Sequence, residues 1–139
     1  MALLDGLAAY WKLDEGAGTS AADATGGGHT GTLVNSPGWA TGKINGGIHV
    51  SLGNSSYVSF GTAVASMGGA YSVAVWFKYT GQGSEGALYA ESAVSGTPLF
   101  MIGIPASFSQ KLEIFLRNDA GSTNLNRILS TATVFDGNW

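Results

Sequence analysis

Apolar and polar positions alternate most regularly over residues 71–79, Tyr71-Ser72-Val73-Ala74-Val75-Trp76-Phe77-Lys78-Tyr79. Tyr71, Val73, Val75, Phe77 and Tyr79 share one phase, and Ser72, Ala74, Trp76 and Lys78 share the other. A two-residue period over this length predicts a β-strand with its odd positions in the core. The even phase sets a Trp between a Ser and a Lys, which predicts a surface rather than a second core face. This stretch is expected to be the central strand of a sheet.

Shorter runs of the same kind fall at residues 7–13, 31–34, 44–52, 57–60, 87–90, 98–104, 111–117 and 125–134. Within 111–117, Leu112, Ile114 and Leu116 are expected to face inward, and Lys111, Glu113, Phe115 and Arg117 outward. Residues 16–32 read as a long loop around Gly26-Gly27-Gly28. Pro37-Gly38, Gly53-Asn54, Asn118-Asp119-Ala120-Gly121 and Asp136-Gly137 are turn signals. No helical period runs longer than two turns. Many short strands joined by glycine-rich turns predict an all-β fold, an antiparallel two-sheet β-sandwich. It is expected as a single domain over residues 1–139. The last turn, Asp136-Gly137-Asn138-Trp139, starts a strand with no residues left, so the sheet is expected to be C-terminally incomplete or finished by a second polypeptide.

Composition sharpens this picture. Glycine supplies 22 of 139 residues, well above the usual ~7%, which matches frequent tight turns. The net charge is −3 and the six Lys and Arg are scattered, which excludes a basic nucleic-acid groove. With no cysteine, disulfides, thiolate metal sites and a cysteine nucleophile are excluded. No apolar run approaches the ~18 residues of a membrane span, so membrane insertion is not expected. Residues 1–6 have neither a basic start nor a long apolar core, unlike a signal peptide. The expected location is cytoplasmic, or virion or extracellular if the protein is phage-derived or part of a larger one.

Several stretches, taken in order, resemble the laminin-G-like, concanavalin A-like jelly-roll family in its bacterial and phage form. They are Ala9-Tyr10-Trp11-Lys12-Leu13-Asp14-Glu15-Gly16-Ala17-Gly18-Thr19, then Ala22-Asp23-Ala24-Thr25-Gly26 and His29-Thr30-Gly31-Thr32-Leu33. Trp39-Ala40-Thr41-Gly42-Lys43, Gly46-Gly47, Tyr57-Val58, the 71–78 stretch and Phe135-Asp136-Gly137-Asn138-Trp139 continue the series. The resemblance spans nearly the whole chain and implies a few further strands beyond Trp139.

The resemblance also implies a structural Ca²⁺ near the first loop, where Asp14, Glu15 and Asp23 are the candidate ligands. Calcium takes six to eight oxygens from a flexible loop. The alternative is that Asp14 and Asp23 only brace turns through their side chains. The family commonly has an acidic residue before the glycine that is here Gly53, where this protein has Leu52. A sugar site in such a sandwich needs an aromatic ring to stack on a pyranose and polar groups for its hydroxyls. Trp76 with Ser72 and Lys78 is the candidate platform, extended by Tyr57, Tyr89 and Phe115 on the outward phases of their strands. Against this, Trp is most often buried for its apolar area.

Catalysis is not expected. A glycosidase needs two carboxyls flanking one bond, and no predicted strand carries two acids in phase: Glu113 is alone, and Glu85 and Glu91 lie at opposite ends of a loop-and-strand unit. The expected function is a non-catalytic module binding a carbohydrate or cell-surface polymer. The alternative is a phage virion structural protein, a capsid decoration or fibre domain, that acts by docking on other proteins.

Overall fold

The computed structural model describes residues 5–61, 72–80, 86–91, 100–104, 111–117, 124–130 and 137–139. The protein divides into two compact units, Met1–Ala74 and Val75–Trp139. All pairing between named strands is antiparallel, and the domain is all-β with a 3-10 turn at Leu52–Asn54.

In the first unit, β1 (Ser20–Ala21), β2 (Gly31–Val34) and β5 (Tyr57–Ser59) form a three-stranded sheet in the order β1-β2-β5. Ala21, at 0% exposure, and Leu33, at 8%, mark its core. β2 alternates buried and exposed positions, as its Gly31-Thr32-Leu33-Val34 sequence predicts. β3 (Gly38–Thr41) and β4 (Gly46–His49) form a separate hairpin, with Trp39 opposite Ile48. The Trp39 indole N–H donates to the Gly18 carbonyl at 2.9 Å, which ties this hairpin to the first loop.

Three features of this unit differ from expectation. The 7–13 stretch forms no strand and contributes only the isolated bridge Trp11↔Asp23. β1 arises inside the predicted loop, and β3 begins at the predicted Pro37-Gly38 turn. β1 is only two residues, Ser20-Ala21, too short to show a period, and β3 begins at a Pro-Gly that reads as a turn although Trp39 lies within the strand.

In the second unit, β6 (Gly86–Glu91), β7 (Phe100–Ile104), β8 (Glu113–Arg117) and β9 (Asn124–Leu129) form a four-stranded meander in that order. Directly opposed residues of an antiparallel ladder share a face. Tyr89, Glu91, Phe100, Ile102, Ile114 and Leu116 therefore lie on one face, and Ala90, Met101, Glu113 and Phe115 on the other. A bulge between Ala87 and Tyr89 sets the phase of β6.

One expectation is corrected here. On β8, Phe115 is 7% exposed and Glu113 5%, while Ile114 and Leu116 are only half-buried. The phase expected to face solvent is the more deeply buried one. β8 is an interior strand with β7 on one side and β9 on the other, and its alternating sequence gives the two phases but not which of them is the more deeply buried. Of the predicted central strand 71–79, residues 72–80 pair with no named strand among the described residues, and Tyr71 lies outside them. Burial still alternates, with Val73, Phe77 and Tyr79 half-buried and Ser72, Ala74, Trp76, Lys78 and Thr80 exposed, but Val75 is 47% exposed. Alternation records the environment of side chains and carries no information about a hydrogen-bonding neighbour. The two-sheet jelly roll remains an expectation of the sequence, whereas the antiparallel all-β character is observed.

Candidate functional site

The first loop is built around one carboxylate. Asp23 Oδ1 accepts from the backbone N–H of Tyr10 (3.1 Å), the N–H of Thr25 (2.9 Å) and the Thr25 hydroxyl (2.7 Å). Oδ2 accepts from the N–H of His29 at 3.2 Å. These bonds draw together the 10–11 segment, the 23–25 turn and the far end of the glycine-rich loop. Gly26 and Gly28 have φ of 76° and 86°, so the loop reverses where only glycine turns without strain. Around it, the Trp11 indole N–H donates to the His29 carbonyl at 2.6 Å, and the Trp11 ring stacks on Phe60 with centroids 3.9 Å apart. The loop is thus fastened at a charged point and at an aromatic one.

The Thr25 hydroxyl is the main reason that the Asp23 carboxyl sits well below the usual carboxylate range. Partial desolvation opposes it, and the N–H donors of Thr25, Tyr10 and His29 reinforce it. The folded state therefore binds fewer protons than the unfolded state over the pH range just below the ordinary Asp value of ~3.9. The stability from this carboxylate is complete above that value and is lost as pH falls through it toward the depressed folded value. Asp23→Asn is expected to flatten the acid limb of a melting-temperature profile, since an amide does not titrate there. It should also lower the melting point by several degrees at neutral pH. An unchanged acid limb in the variant would assign acid sensitivity to other groups.

These residues do not fit calcium. A carboxylate offers about four lone-pair positions, and four N–H and O–H donors already address Asp23. Glu15 Oε1 accepts instead from the Ala22 N–H at 2.7 Å. The Asp14 backbone lies close to the Cα of Gly46. Among the described residues, no group of three or more Asp, Glu, His or Cys is placed to hold a metal. Asp14, Glu15 and Asp23 are neighbours in sequence, but the Glu15 and Asp23 carboxylates serve different backbone sites. For Asp23 the turn-bracing alternative is the one the geometry shows.

The candidate sugar platform is only partly assembled. Trp76 is 63% exposed, and Ser72 and Lys78 are exposed on the same phase of one segment. Tyr57, 51% exposed on β5, belongs to the first unit. Phe115 is removed from the platform by its burial, since a ring 7% exposed offers no face to a solvent-borne ligand. Tyr89 is half-buried, and its hydroxyl donates to Glu91, so it braces a carboxylate within the sheet. Val75 and Trp139, 47% and 42% exposed, add apolar surface to the second unit that alternation assigns to the core or leaves undecided. Glu91 and Glu113, 6% and 5% exposed, stand on opposite faces of one sheet.

No protein-family model matches this sequence, and no curated protein does. Among solved structures, it is similar to the 2.1 Å crystal structure of residues 221–444 of an S-layer domain-containing protein from Clostridium thermocellum ATCC 27405. The TM-score is 0.67 at 19% identity, over 94% of this protein and 60% of that structure. The likeness is one of fold, and this protein spans three-fifths of its counterpart. No helix among the described residues is long and apolar enough to cross a membrane.

Proposed function

We propose that this protein is a non-catalytic module that binds a carbohydrate or another cell-surface polymer, within the jelly-roll class its motifs resemble. The observation that carries the reading is the Trp76 side chain, 63% exposed and flanked on its own phase by exposed Lys78. An indole left in water lacks the usual stabilisation of burial. A pyranose face would cover it while Lys78 addressed ring hydroxyls. The arrangement of buried acids supports a non-catalytic role. Glu91 and Glu113 occupy opposite faces of the four-stranded sheet, so they cannot flank one glycosidic bond from the same side.

A second reading, a structural domain that docks on other proteins of a surface layer or virion, is favoured by Val75, Trp76 and Trp139 together as exposed apolar surface of the second unit. The likeness to an S-layer domain-containing protein supports surface assembly in the same sense. One experiment separates the two. On an array of glycans and cell-wall polymers, the wild type is expected to bind and Trp76→Ala to bind at least about tenfold more weakly, a loss of roughly 1.4 kcal/mol, with an unchanged melting point. Equal binding by the variant would remove Trp76 from the site. Silence of both proteins across the array, with a defined oligomer by mass, would favour the docking reading.

A further inference from the structure

We propose that Asn45-Gly46, at the end of the β3–β4 hairpin loop, is a site of non-enzymatic self-modification, where the Asn45 amide is lost through a backbone succinimide. Asn45-Gly46 is the one Asn-Gly pair in the sequence. Asn45 is exposed, with φ of 57°. Among the described residues none hydrogen-bonds its side-chain amide.

The ladder explains why the attacking nitrogen is available. The Gly42 N–H donates to the Asn45 carbonyl at 3.0 Å, just inside the Thr41↔Gly46 rung. That bond makes Thr41↔Gly46 a non-hydrogen-bonded pair, whose own N–H groups point away from the partner strand. The Gly46 N–H is therefore not consumed by β3. Glycine is also required at this position, because a Cβ on residue 46 would come 2.7 Å from the Asp14 Cα. The fold thus holds a peptide nitrogen that β3 does not engage, on a residue without a Cβ, next to an uncommitted amide.

The chemistry needs only water. The Gly46 nitrogen gives up its proton and attacks Asn45 Cγ. A new bond forms between that nitrogen and Cγ, the bond from Cγ to Nδ2 breaks, and Nδ2 leaves as ammonia after taking up a proton. Water then opens the five-membered imide at either carbonyl, yielding aspartyl or isoaspartyl at residue 45. The isoaspartyl product adds a methylene to the backbone between β3 and β4. Both products add a negative charge near Asp14, whose backbone packs on Gly46. Either change loosens the hairpin register.

Asn35 is an internal control. It too has a positive φ, 58°, but it precedes Ser36, and its side-chain nitrogen donates to the Ser55 carbonyl at 3.0 Å. The folded full-length protein should be incubated at neutral and at mildly acidic pH, then digested and mapped by mass spectrometry, with isoaspartate labelled by a protein isoaspartyl methyltransferase. Conversion is expected at Asn45, several-fold faster at neutral pH because the attacking nitrogen must lose its proton, with Asn35 unchanged. Asn45→Gln should abolish the signal, since its longer side chain would have to close a six-membered ring. The proposal is overturned if residue 45 keeps its amide in the folded protein, whether or not it is lost there in denaturant.

Discussion

Trp11→Ala is expected to lower the unfolding free energy by about 3 kcal/mol, the lower end of the range for deleting a core Trp. The lower end applies because Trp11 is half-buried rather than fully enclosed. Two contacts disappear together. The ring leaves Phe60, on which it stacks at 3.9 Å with planes 27° apart, and the indole N–H leaves the His29 carbonyl. The first contact joins the 10–11 segment to the residue that follows β5. The second holds the far end of the loop whose near end is fastened by Asp23. Trp11→Phe separates them, because it keeps an aromatic face for Phe60 and removes only the donor, for a loss of about 1 kcal/mol. Urea unfolding followed by circular dichroism gives both numbers from the midpoints, provided the m-value is unchanged. If Trp11→Phe proved as damaging as Trp11→Ala, the stabilisation would lie in the hydrogen bond and not in the ring.

That anchor shows what the sequence conveys and what it does not. The quoted motif around Trp11 and Asp23 marks a structured first loop, and the structure places one there. Its residue types, acids among glycines, suggest oxygen ligands for a cation. In three dimensions the Asp23 acid is surrounded by N–H donors, and donor direction is a property of backbone geometry that residue identity does not carry. The strands of β5, β6, β7 and β8 are legible as short apolar or alternating runs between turn signals. They are hidden where the strand is two residues long, as in β1, or where it opens on a Pro-Gly turn signal, as in β3.

The second unit shows the opposite effect. Residues 72–80 carry the longest alternation in the sequence and pair with no named strand among the described residues, whereas β8 sits inside a four-stranded sheet. The alternation of β8 separates its two phases correctly, but the phase with Glu113 and Phe115 is the buried one, which apolar spacing alone does not tell. The consequence for the candidate site is specific. Phe115 reads as surface and is core, while Val75 reads as core and is 47% exposed beside Trp76.

Gly31→Ala is expected to destabilise by about 1–3 kcal/mol through overpacking, against the ordinary gain of roughly 0.5–1 kcal/mol when alanine replaces a glycine inside a strand. The clash decides the sign. A Cβ at residue 31 would lie 2.6 Å from Val58 Cγ1 and 2.7 Å from Phe60 Cε1, both well inside van der Waals contact. Neither neighbour yields easily. Phe60 is held by the stacked Trp11 ring, and Val58 stands opposite Leu33, 8% exposed, in the β2–β5 ladder. On the other side, Gly31 is paired with the fully buried Ala21, so β2 has no room to shift toward β1. The test is a double-mutant cycle with Val58→Ala, which opens space where the new methyl points. Val58→Ala alone leaves a small cavity and is itself destabilising. The pair is expected to lose less than the sum of the single losses, by about 1 kcal/mol of coupling. Strict additivity would place the damage in the backbone of β2 instead of in the contact with Val58. A stabilised Gly31→Ala variant would mean that β5 stands further from β2 than the register Thr32↔Ser59, Leu33↔Val58 and Val34↔Tyr57 allows.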